Sequence, residues 1–275
     1  MITLKEVRAR FARDHGLPFA NSLSEQNILN ALNEHGIKYR DRVFTPATTI
    51  WGFLSQVLSD DHSCSGAVSR IIAHQAASGL ETCSPNTASY CNARGRIVTG
   101  VLRTLARRTA KELQAAVVEQ WKWNGRNVFI ADGSHVSMPD TSENRASYPQ
   151  PPTQKAGIGF PLARVAVLLS LATGACHDLA IAPYKGKGTG ETTLLREMYD
   201  SLKPGDVVLA DALFDNYFLV CELRQRGIEL VARVKYKRAA SKELQRGSDG
   251  DILVWLGCLS ARVPDGLCGR PKFPD

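Results

Sequence analysis

Through the first 125 residues apolar positions recur at helical spacing. Ser22 or Ser24 is placed to cap a segment through residue 33, EQNILNALNEH, in which Ile28, Leu29 and Leu32 form an apolar stripe and Gly36 supplies a stop. A second helix follows Pro46, with Ile50, Phe53, Leu54 and Val57 on one side, and a third runs from Gly66 to about Ala77, closed by Gly79. Pro85 to Asn92 is turn-rich, and the longest predicted helix then spans Ala88 to about Gln120. Wound at about 100° per residue, that helix gathers Arg96, Arg103, Arg107 and Lys111 on one side and Val101, Leu102, Leu105, Leu113 and Ala116 on the other.

The period changes at residue 126. Asn127 to Ala131, NVFIA, reads as a short strand ending at Asp132 and Gly133, and a polar, proline-rich loop follows from Thr141 to Gly159. Leu162 to Ala172 is almost continuously apolar, as a central strand covered on both faces would be, and Cys176 to Pro183 is its expected hairpin partner. After a Gly-rich loop come a helix from Glu191 to Leu202, a buried strand from Asp206 to Ala210 ending at Asp211, a helix from Tyr217 to Gly227 and a strand from Ile228 to Val234. This order predicts an α/β fold with a mixed sheet. Beyond Tyr236 the signal weakens: KRAASKELQRGSDG is basic and polar, DILVWLGCLSARV can supply one or two strands, and GLCGRPKFPD closes no element.

A chain of 275 residues with 44% apolar and 22% charged side chains is expected to fold rather than remain disordered. The longest mainly apolar stretch, Val165 to Cys176, falls short of the roughly 20 residues that cross a bilayer. The first residues lead into no apolar core, so neither a membrane anchor nor a secretory signal is expected, and the cytoplasm is the expected location. Seven cysteines without C-x-x-C spacing suit reduced thiols and argue against a structural zinc site. Charge is uneven. Residues 1 to 130 hold 16 Lys and Arg against 10 Asp and Glu, whereas residues 131 to 275 hold 18 against 17. A polyanion would be drawn to the N-terminal half. The basic side of the long helix has two readings, a solvated face or a set of phosphate contacts.

Asp132 in VFIADGS and Asp211 in VVLADALF each end a short hydrophobic strand. If the strands are neighbours, the carboxylates emerge at one edge, where two like charges call for a cation, and hard oxygen ligands suit Mg²⁺ or Mn²⁺. Two ordinary aspartates capping turns are the other reading. GKGTGE at 186 to 191 lacks the order of a nucleotide-binding loop, and Ser134 lacks a nucleophile elbow. His135 is placed to support Asp132, His177 lies on a predicted strand, and Asp215 is placed to cap the helix after it.

The segment DGSHVSMPDTSENRASYPQPPTQKAGIGFP from Asp132, with LLSLATG at 168 to 174, GETTLLREMYDSLKPGDVVLADALF at 190 to 214 and LVARVK at 230 to 235, strongly resembles the IS4-type DDE transposases. The resemblance covers about residues 126 to 236. It implies a ribonuclease H-like core, two divalent metal ions, and cleavage and rejoining of double-stranded DNA at transposon ends. Asp132 matches the first acid and Asp211 the second, while Pro139 and Asn144 match motif positions with a positioning role. Arg96, Arg103, Arg107 and Lys111 become the expected DNA contacts. The implied organisation is a helical DNA-binding or assembly region over 1–125, a partial catalytic core over 126–236 and the start of a β-rich insertion over 237–275.

The chain departs from the family in one respect. The third acid of the family is a glutamate in a Tyr-x-x-Arg-x-x-x-Glu-x-x-x-x-x-x-Lys pattern, and Tyr199, Tyr217 and Tyr236 all lack that spacing. The departure implies a truncated copy, inactive in strand transfer unless Glu191 or Glu197 substitutes. Ala212 also replaces a residue that is often basic or polar in relatives. A catalytically dead DNA-binding protein, associating with itself or with a full-length transposase, and a gene remnant are the alternatives.

Overall fold

The computed structural model describes residues 23–233 apart from 41, 152, 154 and 156, together with 241–246 and 252–256. The expectations for residues 1–22, 234–240 and 257–275, Cys258 and Cys268 included, lie outside the described residues. The chain divides into two compact units, Met1–Glu112 and Leu113–Asp275.

The apolar stripes of the N-terminal part become helices α1 (Glu25–Glu34), α2 (Pro46–Leu58), α3 (Cys64–Ala77), α4 (Ala88–Gly95) and α5 (Thr99–Ala115), whose last three residues belong to the second unit. The first three begin on hydroxyl caps: Ser24 accepts from the Asn27 N–H, Thr45 from Thr48 and Ser63 from Gly66. Ile28, Ala31, Leu32, Ile50, Val101 and Leu105 share one buried cluster, and Ala67, Val68, Ile71 and Tyr90 another. The Tyr90 hydroxyl donates to Gln56 Oε1 at 2.9 Å, and Arg94 Nη1 donates to the same oxygen at 2.8 Å. Burial pushes the Tyr90 hydroxyl up to about 12.

The single helix expected over Ala88–Gln120 is two helices. Gly95 ends α4, and Arg96 to Val98 form a turn in which the Ile97 N–H reaches the Arg94 carbonyl at 3.1 Å. Gly95 with the β-branched Ile97 and Val98 close behind it is poor helical sequence, a glycine costing about 1 kcal/mol relative to alanine. Arg96 is therefore the C-cap residue of α4 and does not continue the stripe of Arg103, Arg107 and Lys111, which α5 keeps.

The second unit is built on a five-stranded sheet of β1 (Val128–Ser137), β2 (Leu162–Ser170), β3 (Cys176–Pro183), β4 (Val207–Ala210) and β5 (Glu229–Ala232), in the order β3-β2-β1-β4-β5. The first three strands pair antiparallel; β4 and β5 join parallel to β1. Helix α6 (Ser142–Ser147) lies in the loop after β1, α7 (Glu191–Arg196) connects β3 to β4, and α8 (Tyr217–Gln225) connects β4 to β5. Phe129, Ala131, Ala166, Leu168 and Val208 from the strands share one core with Leu194, Leu195, Met198, Leu219 and Leu223 from the connections. This mixed sheet flanked by helices is the α/β, ribonuclease H-like arrangement that the resemblance implies.

Some boundaries differ from expectation. β1 runs on through Ser137, five residues past Asp132, because β2 offers it a partner as far as Ser137 opposite Leu162. Thr141 caps α6 inside the expected loop, and α7 gives way after Arg196 to a 3₁₀ turn at Tyr199–Ser201. β6 (Ser241–Arg246) occupies a stretch whose polar composition predicts nothing, and pairs antiparallel with β7 (Ile252–Leu256). A backbone ladder forms without regard to side-chain polarity, so pairing alone accounts for it.

The parallel register is fixed at the edge where β4 and β5 begin. Arg126 Nε donates to the Gly205 carbonyl at 2.7 Å and Nη1 lies 2.6 Å from the Glu229 carboxylate. Asp206, buried, accepts from the Lys203 N–H at 2.7 Å and from Asn127 Nδ2 at 3.2 Å. These bonds tie the start of β1 to the starts of its two parallel neighbours.

Candidate active site

Because Val128 pairs with Val207 and Ala131 with Ala210, the next residue on each strand, Asp132 and Asp211, emerges at one level of the sheet. Adjacent strands lie about 4.8 Å apart, so the two side chains start from neighbouring backbone positions. Phe129 and Ala131 point into the core, which by strand alternation puts Asp132 on the opposite face. Asp211 is still extended (φ −77°, ψ −178°) and caps the 3₁₀ turn Ala212–Phe214, accepting from the Leu213 N–H at 2.9 Å, with Phe214 buried beneath. Asp132 Oδ1 accepts from the Gly133 N–H at 2.8 Å. Each carboxylate thus engages a local N–H and stays exposed to solvent.

Two exposed carboxylates, side by side and supplied by separate strands, fit the needs of Mg²⁺ or Mn²⁺, which take one or two carboxylates and complete their shell with water and substrate phosphate oxygens. Among the described residues no group of three or more His, Cys, Asp or Glu side chains is arranged to hold one ion.

Glu191 comes close to this edge from the wrong side. It is the first residue of α7, and a Cβ built on Gly133 would lie 2.3 Å from its Cδ and 2.5 Å from its Cγ. Alternation turns the Gly133 position away from Asp132, so Glu191 lies across β1 from the aspartate pair. Glu197, just past α7, is exposed. Neither supplies a third acid to the pair. The contact does require glycine at 133. Gly133→Ala is expected to cost about 1–3 kcal/mol in urea unfolding through overpacking, and adding Glu191→Ala should recover most of the loss because the obstructing side chain is then gone. A Gly133→Ala variant as stable as the parent would show that the contact is loose.

His135 lies on β1 beyond the pair, its ring centroid 4.9 Å from that of Tyr184. Sequence reasoning passed over its neighbour Arg164, whose guanidinium sits 5.3 Å from the Tyr184 centroid while Nη1 donates to the Thr189 carbonyl at 3.0 Å. Arg164 thereby holds both ends of the loop leading to α7. The available signal was one cation inside the apolar run LARVAVLLSLA. His177 is buried, with Nε2 donating to the Ser201 carbonyl at 2.8 Å and its ring 4.5 Å from Phe129, a structural placement.

Asn144 is held within its own loop: its N–H donates to Thr141 Oγ1 at 3.2 Å and its Nδ2 to the Pro139 carbonyl at 3.0 Å. Beside it Arg145 donates to both oxygens of Asp140, at 2.5 and 2.6 Å, and that hydrogen bonding holds the Asp140 carboxyl below its usual range. Asn216, not Asp215, caps α8, accepting from the Phe218 N–H at 2.9 Å. Arg103 and Arg107 are half-buried on α5, and Lys111 is exposed.

Residues 123–258 match the family described as the transposase DDE domain. The chain is also similar to the putative transposase InsZ of Escherichia coli (strain K12), with 29% identity over 136 residues. That alignment takes in 49% of this chain and 44% of the relative, so the chain spans less than half of the curated protein it matches. No helix among the described residues is long and apolar enough to cross a membrane. The family match takes in the segment that carries the aspartate pair, and over residues 123–258 the chain is similar to the DDE transposases.

Proposed function

We propose that the chain is an IS4-type transposase polypeptide acting in the cytoplasm on double-stranded DNA at transposon ends. The observation that carries this reading is the parallel register that brings Asp132 and Asp211 to one level of the sheet. Their carboxylates would hold Mg²⁺ or Mn²⁺. The ion supplies a charge that steadies the phosphodiester oxygens and makes bound water a better nucleophile. The residues of the chain set the place for this: Asp206 and Arg126 fix the strand register, the 3₁₀ turn after Asp211 holds that carboxylate at the edge, and Asn144 shapes the Pro139–Tyr148 loop.

A second reading is favoured by the lack of a three-carboxylate group among the described residues. Under it the 275 residues bind DNA without cutting it, alone, with a second copy or with a full-length transposase. The test compares this chain with one extended by a family-like segment carrying the third glutamate, on transposon-end DNA with Mn²⁺. Cleavage by the extended form that disappears on Asp132→Asn or Asp211→Asn supports the transposase reading. Cleavage indifferent to both substitutions overturns it.

A further inference from the structure

We propose that Cys64 and Cys91 form an oxidant-sensitive thiol pair, which hydrogen peroxide converts to a reversible disulfide between α3 and α4. Both are free thiols, one on each helix, and the Cys91 Sγ donates to the Cys64 Sγ at 3.7 Å. A disulfide bond is about 2.0 Å long, so the sulfurs need to close by about 1.7 Å, a distance that rotation of the two side chains covers. Each cysteine is half-buried, at the margin of the cluster of Ala67, Val68, Ile71 and Tyr90, and so within reach of a small oxidant.

The surroundings give the two sulfurs different parts. Cys64 is the first residue of α3, and three donors converge on its sulfur: the Cys91 thiol, Gln56 Nε2 at 3.5 Å and Arg94 Nη1 at 3.8 Å. A thiol sulfur is only a weak acceptor, so three donors are more than a resting cysteine calls for. A helix N-terminus and a neighbouring arginine are settings in which cysteine sulfurs react with oxidants. Arg94 is held in place by its bond to Gln56 Oε1 at 2.8 Å and lies over the rings of Phe53 and Tyr90. Burial, and after it the hydrogen bond to Cys64, push the Cys91 thiol up, so Cys91 keeps its proton and donates. Cys64 is therefore the attacking sulfur and Cys91 the resolving one.

The Cys64 sulfur attacks one peroxide oxygen and the O–O bond breaks. The other oxygen leaves with the thiol proton as water, and Cys64 becomes a sulfenic acid. The Cys91 sulfur then attacks the Cys64 sulfur, the S–O bond breaks, and the hydroxyl departs with the Cys91 proton as a second water. The two thiols lose two electrons, and the peroxide gains them. The bond closes the chain from Cys64 to Cys91 into a loop, which stabilises the helices by restricting the unfolded chain. This site is independent of the transposase reading.

The test treats the reduced 275-residue chain with one equivalent of hydrogen peroxide, alkylates the remaining thiols and maps the peptides by mass spectrometry. Two of the seven cysteines are expected to escape alkylation, joined as Cys64–Cys91 within one chain, and dithiothreitol should return both. Cys83, which packs against the same cluster, is the control, and Cys83→Ser should behave like the parent. On Cys91→Ser, dimedone should label Cys64 as a sulfenic acid, at least tenfold more than it labels Cys91 on Cys64→Ser. The urea midpoint of the oxidised parent should lie above that of the reduced one. Full alkylation of both cysteines after peroxide, a bond from either to Cys83, or bonds only between chains would overturn the proposal. So would a midpoint lowered by oxidation, because the fold would then not accept the bond.

Discussion

Transposon-end DNA is expected to come through incubation with the 275-residue chain and Mn²⁺ uncut, while a chain extended by the glutamate-bearing segment cuts it. The expected difference is complete within the sensitivity of a gel assay. A site of two ions would supply charge stabilisation to both oxygens of the exchanged phosphodiester, and each ion would need fixed ligands from the chain. Asp132 and Asp211 can fix one ion between them, whereas Glu191 approaches β1 from the opposite face against Gly133. Asp132-dependent cleavage by the 275-residue chain would contradict this and make Glu191 and Glu197 the first substitutions to test.

Phe129→Ala is expected to cost about 3–5 kcal/mol, the cavity left by a buried aromatic side chain. Phe129 is 1% exposed, pairs with Val208 across the β1–β4 ladder and lies against the His177 ring. That loss is a large share of the about 5–15 kcal/mol that holds an ordinary domain together. It should also weaken the metal site, since Phe129 anchors the strand carrying Asp132 three residues later. Phe129→Leu, which keeps much of the volume, should cost less. Urea unfolding separates the two, and a Phe129→Ala variant within about 1 kcal/mol of the parent would mean that the β1 core is not packed as described.

The strands were plain in the sequence where burial shaped them. VFIA, ARVAVLLS, DLAIA and VVLA are apolar runs whose alternate residues Phe129, Ala131, Ala166, Leu168, Ala180 and Val208 enter the core, while Ile181 and Leu209 on the other face stay exposed, so coverage of both faces is not what made them apolar. The aspartates were visible for the same reason, as the first charges after such runs. What escaped notice depends on partners distant in the chain. The extension of β1 through GSHVS is polar, and only the length of β2 reveals it. The break at 96–98 was hidden because Val101, Leu102 and Leu105 keep helical phase with Ile97 and Val98 across it. Arg164 and Glu191 looked like ordinary strand and helix residues, and their importance lies in contacts with Tyr184, Thr189 and Gly133 that no local pattern encodes.

The central claim is that Asp132 and Asp211 form one metal site. A Mn²⁺ titration followed by electron paramagnetic resonance on the parent, Asp132→Asn and Asp211→Asn tests it directly, with unfolding curves on all three to confirm equal stability. Both substitutions change exposed carboxylates, one within β1 and one just past β4, so the fold should be retained. The parent is expected to bind one Mn²⁺, and each variant to lose most of that affinity, because either aspartate alone leaves the ion with a single carboxylate. Parent-like binding in both variants would contradict the account and reduce the pair to two solvent-facing turn residues.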